Sequence, residues 1–349
     1  MTSQERPHII FGTAAFGTGS PLAKIQDEET AAPIIVTLQA RNVTDVDTAR
    51  AYPVGSPGAA ERLLGELGVP NWANLSTKVN SWAPGTHTPE RIQQSVAESL
   101  EALKTDKVDI MYLHSPDRLT PFEETCRAMD AEYRKGKFAR FGISNYTADE
   151  VEEIVTICER RGFVKPSVYQ GRYNPVIRSG ETHLFPVLRR HGISFYAYRY
   201  EIFFLSMGMS NKTLTSRFTL SPAAVGLFTG RLSQDPSQLA GSRWDGSTTS
   251  GKIYHDAYYK PAVIAAAQTV ADAGAAAGVS GHELALRWTI YHSVLSREHG
   301  DAVLIGASSL SQLIQNLDAV DAGPLDEELA KLVSNVGDLV GDEAAAYHV

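Results

Sequence analysis

The sequence predicts an α/β fold, a single closed (β/α)8 barrel of the TIM type that forms one domain over residues 1–349. The first observation is that short runs of β-branched and aromatic residues alternate with longer segments of helical periodicity from end to end. This alternation is typical of βα units, which build parallel sheets. The second is that no break in composition divides the 349 residues, a length that single barrels routinely have. The third is that acidic, basic and phenolic side chains follow the ends of predicted strands. In (β/α)8 barrels, the loops after the strands form the functional site.

The first half of the barrel is predicted as four strand and helix pairs. The third helix has the clearest start, because Thr88 is suited to cap it, Pro89 fits the first turn and Glu90 complements the helix dipole. Its predicted core face has helical spacing and consists of Ile92, Val96, Leu100 and Leu103. The predicted strands are 8–12, 43–47, 74–78 and 108–114, and the predicted helices are 28–39, 59–67, 88–103 and 121–134.

The second half repeats the pattern four more times, with a longer interval before the last strand. The predicted strands are 139–145, 167–170, 193–198 and 302–306, and the predicted helices are 148–160, 181–190 and 310–317. Gly-x-Gly-x-x-Gly spacing at the start of a βα unit is absent, which argues against a Rossmann domain. The glycines of 12–19 have the wrong spacing and are expected to shape the first barrel loop.

Charge and composition exclude several classes of function. The formal net charge of −8 and the lack of a basic stripe argue against nucleic acid as a partner. Cys126 and Cys158 have no metal-ligand spacing, so we expect buried free thiols and no metal site. The start of the chain has no apolar signal segment, and no run approaches the ~18 apolar residues of a membrane span. We therefore expect a cytoplasmic protein.

Four side chains suited to proton transfer lie at or just after three consecutive strand ends. Asp47 ends the second strand, Tyr52 lies in the following loop, and Lys78 and His114 end the next two strands. Each residue alone is more often structural: Asp47 as a helix cap, Lys78 as a solvated charge, the two rings as packing. Because the carboxyl ends of barrel strands share one rim, the ordered set is expected to converge and predicts a proton-transfer site.

The motifs around these residues resemble those of the aldo-keto reductases, from residue 10 to about 325. The matching stretches are Val46-Asp47-Thr48-Ala49, Ser76-Thr77-Lys78, Tyr112-Leu113-His114 and Gly142-Ile143-Ser144-Asn145. The resemblance implies reduction of a small-molecule carbonyl by hydride transfer. It implies Tyr52 as general acid, Lys78 as the cation that makes the phenol more acidic, Asp47 as the charge partner of Lys78, and His114 as the donor that orients the carbonyl oxygen.

The resemblance also implies NADPH as the cofactor. Ser144, Asn145 and Gln170 would bind the nicotinamide carboxamide, Tyr198 would stack on its ring, and Ser221 begins a loop that approaches the cofactor in relatives. The last loop resembles the adenosine 2′-phosphate site, at a helix N-terminus that suits an anion. Its implied contacts are Gly306, Ser308, Ser309, Gln312, Gln315 and Asn316. Because Gln312 is not basic, NADH stays an alternative.

Several stretches resemble the aflatoxin-aldehyde reductase branch, whose members reduce reactive aldehydes with NADPH and are often dimers. They include Leu113-His114-Ser115-Pro116-Asp117 and Val168-Tyr169-Gln170-Gly171-Arg172-Tyr173-Asn174. Relatives that accept carboxylate-bearing aldehydes carry arginines where this chain has 254–257 and near the C-terminus, which here reads Tyr347-His348-Val349. Histidine and alanine cannot form bidentate bonds to a carboxylate. We therefore expect a preference for neutral or aromatic carbonyls, and the resemblance implies a homodimer.

Residues 199–220 interrupt the resemblance after the seventh strand. Removing them joins Tyr198 to Ser221-Pro222 and restores the order of the family loop. Our hypothesis is that the segment is translated from a retained intron, and the alternative is a genuine substrate loop. In either case it interrupts a loop that approaches the cofactor in relatives, and it is expected to weaken cofactor binding.

Three other functions compete with carbonyl reduction. A barrel aldolase would use Lys78 to form a Schiff base, which requires a desolvated lysine. A non-catalytic binding subunit would keep the four residues without turning over substrate, as some relatives do. A splice product would be impaired by 199–220.

Overall fold

Eight parallel strands form one closed barrel in chain order, with the last strand paired to the first. The computed structural model describes residues 6–198, 227–228 and 258–348. The strands are β1 (His8–Gly12), β2 (Asp45–Asp47), β3 (Asn74–Val79), β4 (Val108–Leu113), β5 (Phe138–Ser144), β6 (Pro166–Arg172), β7 (Ser194–Tyr198) and β8 (Ala302–Gly306). The predicted (β/α)8 barrel is therefore confirmed.

Helices surround the barrel. They are α1 (Glu28–Ala40), α2 (Ala59–Glu66), α3 (Pro89–Leu103), α4 (Phe122–Arg134), α5 (Ala148–Arg161), α6 (Gly180–Arg190), α7 (Pro261–Ala276), α8 (Gly281–Tyr291), α9 (Leu310–Asp321) and α10 (Glu327–Val340). Side-chain caps fix several of their starts: Asp27 with Thr30 and Thr147 with Glu150 form capping boxes. These caps explain why the chain leaves each preceding loop where it does.

The sequence prediction differs from the structure at several points, of which α9 is one: it ends at Asp321, four residues after the predicted end. Thr88 occupies the N-cap of α3 but makes no side-chain cap bond, so its predicted capping role is wrong. The second strand begins at Asp45, two residues after the predicted start. Helices α7, α8 and α10 were not predicted; α7 is rich in alanine, which blurs the contrast between its buried and exposed faces.

The core has two parts, one inside the barrel and one between the barrel and the helices. The inner part closes the barrel interior, so the space is a packed core and not a pore. The outer part includes the two cysteines, which are free and buried as expected. The inner part consists of Ile10, Ile110, Tyr112, Val168, Tyr196, Ala302 and Leu304.

Some predictions fall on residues that the structure does not describe. These are the insertion 199–220, the cofactor contact Ser221 and the substrate-loop positions 254–257. Among the described helices, none is long and apolar enough alone to span a membrane; α7 and α8 reach that length only as a pair bent by 101°.

Candidate active site

A buried ion pair joins β2 to β3 at the mouth of the barrel. The Lys78 Nζ atom lies 2.5 Å from Asp47 Oδ2 and donates a second bond, 2.7 Å long, to the Thr48 carbonyl oxygen. The other carboxylate oxygen of Asp47 accepts a bond of 3.0 Å from the Gln170 amide. Burial raises the pKa of Asp47, while the Lys78 ammonium and the Gln170 amide act in the opposite direction. The pair holds a cation in a water-excluded position.

Tyr52 and His114 complete the cluster around that cation. Lys78 Nζ lies 5.2 Å from the centroid of the Tyr52 ring. The rings of Tyr52 and His114 are 5.7 Å apart and nearly perpendicular, at 80°. Trp82 packs against the other side of His114, with 4.9 Å between ring centroids. The structure thus brings the four predicted side chains together at one rim of the barrel.

Burial determines the charge state of the His114 imidazole. His114 is almost fully buried, and burial lowers its pKa well below the ordinary value; the Lys78 ammonium lowers it further. His114 is therefore neutral at physiological pH. A neutral imidazole carries one N–H donor, which suits it to hydrogen-bond a carbonyl oxygen.

Gly142 leaves room for the Tyr112 ring, which lies next to the ion pair of Asp47 and Lys78. Lys78 pairs in register with Tyr112, which pairs with Gly142 on the next strand. The Tyr112 ring centroid lies 5.6 Å from Lys78 Nζ. A Cβ atom on Gly142 would lie 2.3 Å from the Tyr112 ring. Gly142 is therefore required because any side chain there would displace the ring below the cation.

The predicted nicotinamide contacts lie beside Asp47, Tyr52, Lys78 and His114, which we call the tetrad. Asn145 has a positive φ of 68°, which asparagine tolerates better than most residues. This backbone turn directs its amide nitrogen to the His114 carbonyl oxygen and to Ser144 Oγ, both at 3.0 Å. The Tyr198 hydroxyl donates to Asn145 Oδ1 at 2.7 Å. Ser144, Asn145 and Tyr198 therefore form one group. Gln170 pairs in register with Ser144 on the next strand, and its side chain bonds to Asp47.

The predicted phosphate loop lies between β8 and α9. Ser309 caps α9 by accepting a bond from the Gln312 backbone N–H. The Gln312 side-chain oxygen accepts bonds from the Ser308 backbone N–H and hydroxyl, at 2.9 and 2.8 Å. Asn316 is buried and donates to the Gly306 carbonyl oxygen, whereas Gln315 is exposed. The loop is thus closed on itself by the side chains that were predicted to bind phosphate.

A family model described as the Aldo/keto reductase family matches residues 8–337, almost the whole chain. The chain belongs to the aldo/keto reductase family. Family membership makes it an oxidoreductase of the carbonyl-reducing class, and it agrees with the resemblance in the sequence motifs.

Similar aldo/keto reductases cover nearly the full length. "Oxidoreductase sirO" of Leptosphaeria maculans is 36% identical over 98% of this chain and 97% of its own length. The human "Aflatoxin B1 aldehyde reductase member 4" is 33% identical over 99% and 98%. A solved structure, the glycerol dehydrogenase of Gluconobacter oxydans, has a TM-score of 0.67 at 21% identity and covers 96% of this chain and 95% of its own. That structure supports the fold alone.

Two groups of functional interest in this aldo/keto reductase were missed by sequence reasoning. Arg50 donates to the buried Glu61 carboxylate at 2.9 Å, and Thr77 donates to the same carboxylate at 2.7 Å. Through these two bonds, Glu61 connects the loop that carries Tyr52 with the strand that carries Lys78. The other group, formed by Ser81 and His87, lies behind His114. No spacing rule connects such loop residues, since only the folded loop brings them together.

The buried His87 predicts a pH dependence of stability. Burial lowers the pKa of His87 to about 4, against a partly opposing effect of Asp117. The unfolded chain takes up this proton near pH 6.5, so stability is retained above that pH and is lost as the pH falls towards 4. We expect the titration of His87 to lower the free energy of unfolding by about 3 kcal/mol between pH 6.5 and pH 4.

Urea unfolding at pH 4.5 to 7.5 tests this expectation. The His87→Gln variant should show a shallower loss of stability with falling pH than the unmodified chain. His183→Gln is the matched control, because His183 is exposed on α6. Equal pH slopes for the unmodified chain and the His87 variant would contradict the prediction.

Proposed function

We propose that this chain reduces aldehydes and ketones to alcohols with NADPH, with Tyr52 as the general acid. The observation that supports the proposal most strongly is the buried Lys78 ammonium, paired with Asp47 and 5.2 Å from the Tyr52 ring centroid. A carboxylate, an ammonium, a phenol and a neutral imidazole in one cluster suit proton delivery to a carbonyl oxygen.

Tyr52 delivers the proton in this proposal. A phenol is a poor acid near neutral pH, and a nearby ammonium stabilises the phenolate that remains after proton transfer. Lys78 provides this charge in a site from which water is excluded, where electrostatic attraction is stronger than in solution. Asp47 keeps the ammonium in place, because an unpaired buried lysine tends to lose its proton.

His114 orients the substrate in this proposal. Its neutral ring keeps an N–H donor that can bind the carbonyl oxygen beside the Tyr52 hydroxyl. Trp82 and Tyr52 contact His114 from two directions, so the imidazole has little freedom to rotate. The carbonyl would therefore meet two donors in a fixed arrangement.

The chemistry of the donor set fits a nicotinamide cofactor. Ser144, Asn145 and Gln170 offer hydroxyl and amide groups suited to a primary carboxamide, and the Tyr198 ring is partly buried beside them. At the start of α9, the Ser308 N–H and hydroxyl would donate to a phosphate after the Gln312 side chain, which accepts both of them, has moved aside. When bound, the cofactor supplies the hydride that the carbonyl carbon receives.

A charge-selective substrate pocket is the first expectation of this proposal. At the positions where relatives that accept carboxylate-bearing aldehydes carry arginines, this chain has 254–257 and the C-terminal Tyr347-His348-Val349, which cannot bind a carboxylate in the bidentate way of arginine. We expect kcat/KM for a neutral aromatic aldehyde to exceed that for its matched carboxylate at least about tenfold, or about 1.4 kcal/mol. Equal values on the matched pair would refute the preference.

Schiff-base chemistry at Lys78 is the competing enzymatic function. Lys78 is fully buried, paired with Asp47 and bonded to the Thr48 carbonyl oxygen. Burial meets the need for a desolvated lysine, but a Schiff base also requires a neutral amine, and the bonds to Asp47 and Thr48 stabilise the ammonium instead. The geometry therefore favours the reductase.

An NADPH-oxidation assay on a panel of small aldehydes tests the proposed function. It uses the full chain and a variant that lacks 199–220. Oxidation of NADPH with production of the alcohol supports the reductase, and faster turnover by the shortened chain supports the prediction that 199–220 impair the enzyme. The transcript tests the intron hypothesis, and a uniformly spliced mRNA that still encodes 203–205 would contradict it. A Lys78 adduct trapped by borohydride would favour the aldolase. Cofactor binding without turnover by either chain would favour a binding subunit.

Assembly and compartment are also proposals. We propose a homodimer, on the basis of the branch that the sequence resembles, and we also propose a cytoplasmic location. Sedimentation at micromolar concentration tests the dimer, and a sharp boundary at the mass of one 37.9 kDa chain would contradict it.

A further inference from the structure

We propose that Ser81 and His87 form a positioning unit that holds His114 in place for catalysis. The inference rests on the proposed function, in which His114 orients the carbonyl. Ser81 and His87 lie in the loop after β3, and both are buried. Neither residue belongs to the tetrad, and we define the two together as the Ser81–His87 pair.

Ser81 connects the loop to the catalytic histidine. The backbone N–H of His114 donates to Ser81 Oγ at 3.2 Å. His114 directly follows the end of β4, so a side chain from the neighbouring loop takes the place of a strand partner at this position. The position of the His114 backbone therefore depends on where Ser81 is held.

His87 determines where Ser81 is held. Its Nε2 atom lies 2.7 Å from Ser81 Oγ. The Ser81 hydroxyl can donate to the Val79 carbonyl oxygen at 3.4 Å, which leaves both its lone pairs for the N–H groups of His114 and His87. This assignment uses the proton and both lone pairs of the Ser81 hydroxyl. It requires the neutral tautomer of His87 with its proton on Nε2.

Asp117 anchors the pair to the loop after β4. Its carboxylate accepts the backbone N–H of His87 at 3.1 Å and the hydroxyl of Thr120 at 2.7 Å. It also accepts the backbone N–H of Leu119 at 3.2 Å. The loops after β3 and β4 are therefore joined by buried polar bonds on both sides of His114.

The opposite side of His114 is held in a similar way. The Asn145 amide donates to the His114 carbonyl oxygen at 3.0 Å, and Tyr198 donates to Asn145. Both backbone polar groups of His114 are thus bound by side chains, one from the β3 loop and one from the predicted cofactor side. Loss of the Ser81 bond would remove the side-chain bond to the His114 N–H, while the bond from Asn145 to the His114 carbonyl oxygen would stay.

The bonding of the Ser81–His87 pair opposes a nucleophilic role for Ser81. A nucleophilic serine donates its proton to a histidine base, whereas in the tautomer assigned above Ser81 Oγ accepts from His114 and His87 and donates to the Val79 carbonyl oxygen. His87 is also a weak base, because burial holds its pKa at about 4. The pair therefore fits positioning and not acyl transfer.

The Ser81→Ala variant tests the proposal, with Ser95→Ala as the matched control. Ser95 is a buried serine of α3 whose hydroxyl accepts the backbone N–H of Asn80, next to Ser81 in the same loop. Ser95→Ala removes one bond to this loop, whereas Ser81→Ala removes the bonds of the Ser81 hydroxyl to His114, His87 and Val79. Of the two hydroxyls, only that of Ser81 bonds to His114. We expect Ser81→Ala to lower kcat for aldehyde reduction about ten- to a hundredfold, with KM for NADPH unchanged. Ser95→Ala should change kcat less than about twofold.

Two further measurements, on His87 variants and on the NMR signal of His114, test whether Ser81 acts by positioning His114. They distinguish this role from a general loss of stability and from failure of the proposed function. His87→Gln keeps an N–H donor for Ser81 and should retain most of kcat, whereas His87→Leu should behave like Ser81→Ala. Independently of activity, the imidazole NMR signal of His114 should broaden or split in Ser81→Ala and stay single in Ser95→Ala. Equal kcat losses in the two serine variants, or an unchanged His114 signal in Ser81→Ala, would overturn the proposal. An inactive unmodified chain would reject the proposed function, and the NMR comparison would still decide this inference.

Discussion

The Tyr52→Phe variant is expected to lose about 10²- to 10⁴-fold in kcat for aldehyde reduction, with its affinity for NADPH unchanged. The substitution removes only the hydroxyl, and the phenylalanine ring can keep the contact with His114 at 5.7 Å. The site then keeps the Lys78 charge and the His114 donor but has no acid to protonate the oxygen. The remaining rate would come from orientation and electrostatics alone.

Steady-state kinetics and cofactor titration by fluorescence measure the two quantities. Tyr133→Phe is the control, because it makes the same chemical change on the exposed face of α4. It should leave both quantities unchanged. A Tyr52→Phe variant with more than about a third of the original kcat would remove the tyrosine from the mechanism.

Breaking the buried ion pair is expected to give the largest loss of stability. Asp47→Asn leaves the Lys78 ammonium without its partner, and Lys78→Met leaves the Asp47 carboxylate without its partner. Each single variant should lower the free energy of unfolding by about 3–5 kcal/mol, because an uncompensated buried charge is costly. The double variant should lose less than the sum of the two, since it buries no charge. All three should lack reductase activity.

Urea unfolding of the four chains gives the coupling energy between Asp47 and Lys78. Lys165→Met is the control for loss of an ion pair, because Lys165 and Glu159 form a bridge of 2.8 Å that is half exposed. Exposed pairs contribute about 0–1 kcal/mol, so this variant should be nearly as stable as the parent. Additive losses in the double variant would show that the two groups do not interact as the geometry implies.

The barrel could be predicted because its strands and helices have strong local signals. The predicted ends of β8 match the structure, and those of α4 and α5 agree within one residue. α7 could not be predicted, since its alanine-rich sequence has weak contrast between faces. Thr88 shows a second limit of sequence-based prediction. Its residue type suits a helix N-cap, but the hydrogen bond to the backbone of α3 depends on the side-chain rotamer, which the sequence does not determine.

The tetrad could be predicted because parallel strands of a barrel place their carboxyl ends at one rim. Position alone therefore indicated that Asp47, Lys78 and His114 would meet, and the resemblance added their order. The supporting contacts followed no such rule. The bond between Ser81 and His87 spans six residues of an irregular loop, and Arg50 meets Glu61 only because the loop folds back on α2. Contacts of this kind depend on the complete fold.

Transfer of deuterium from NADPH labelled at nicotinamide C4 tests the central claim most directly. The account predicts that the full chain produces an alcohol with deuterium at the carbinol carbon, from one face of the cofactor only, and that Tyr52→Phe produces almost none. An alcohol without deuterium, or an equal yield of labelled alcohol from Tyr52→Phe, would contradict the account.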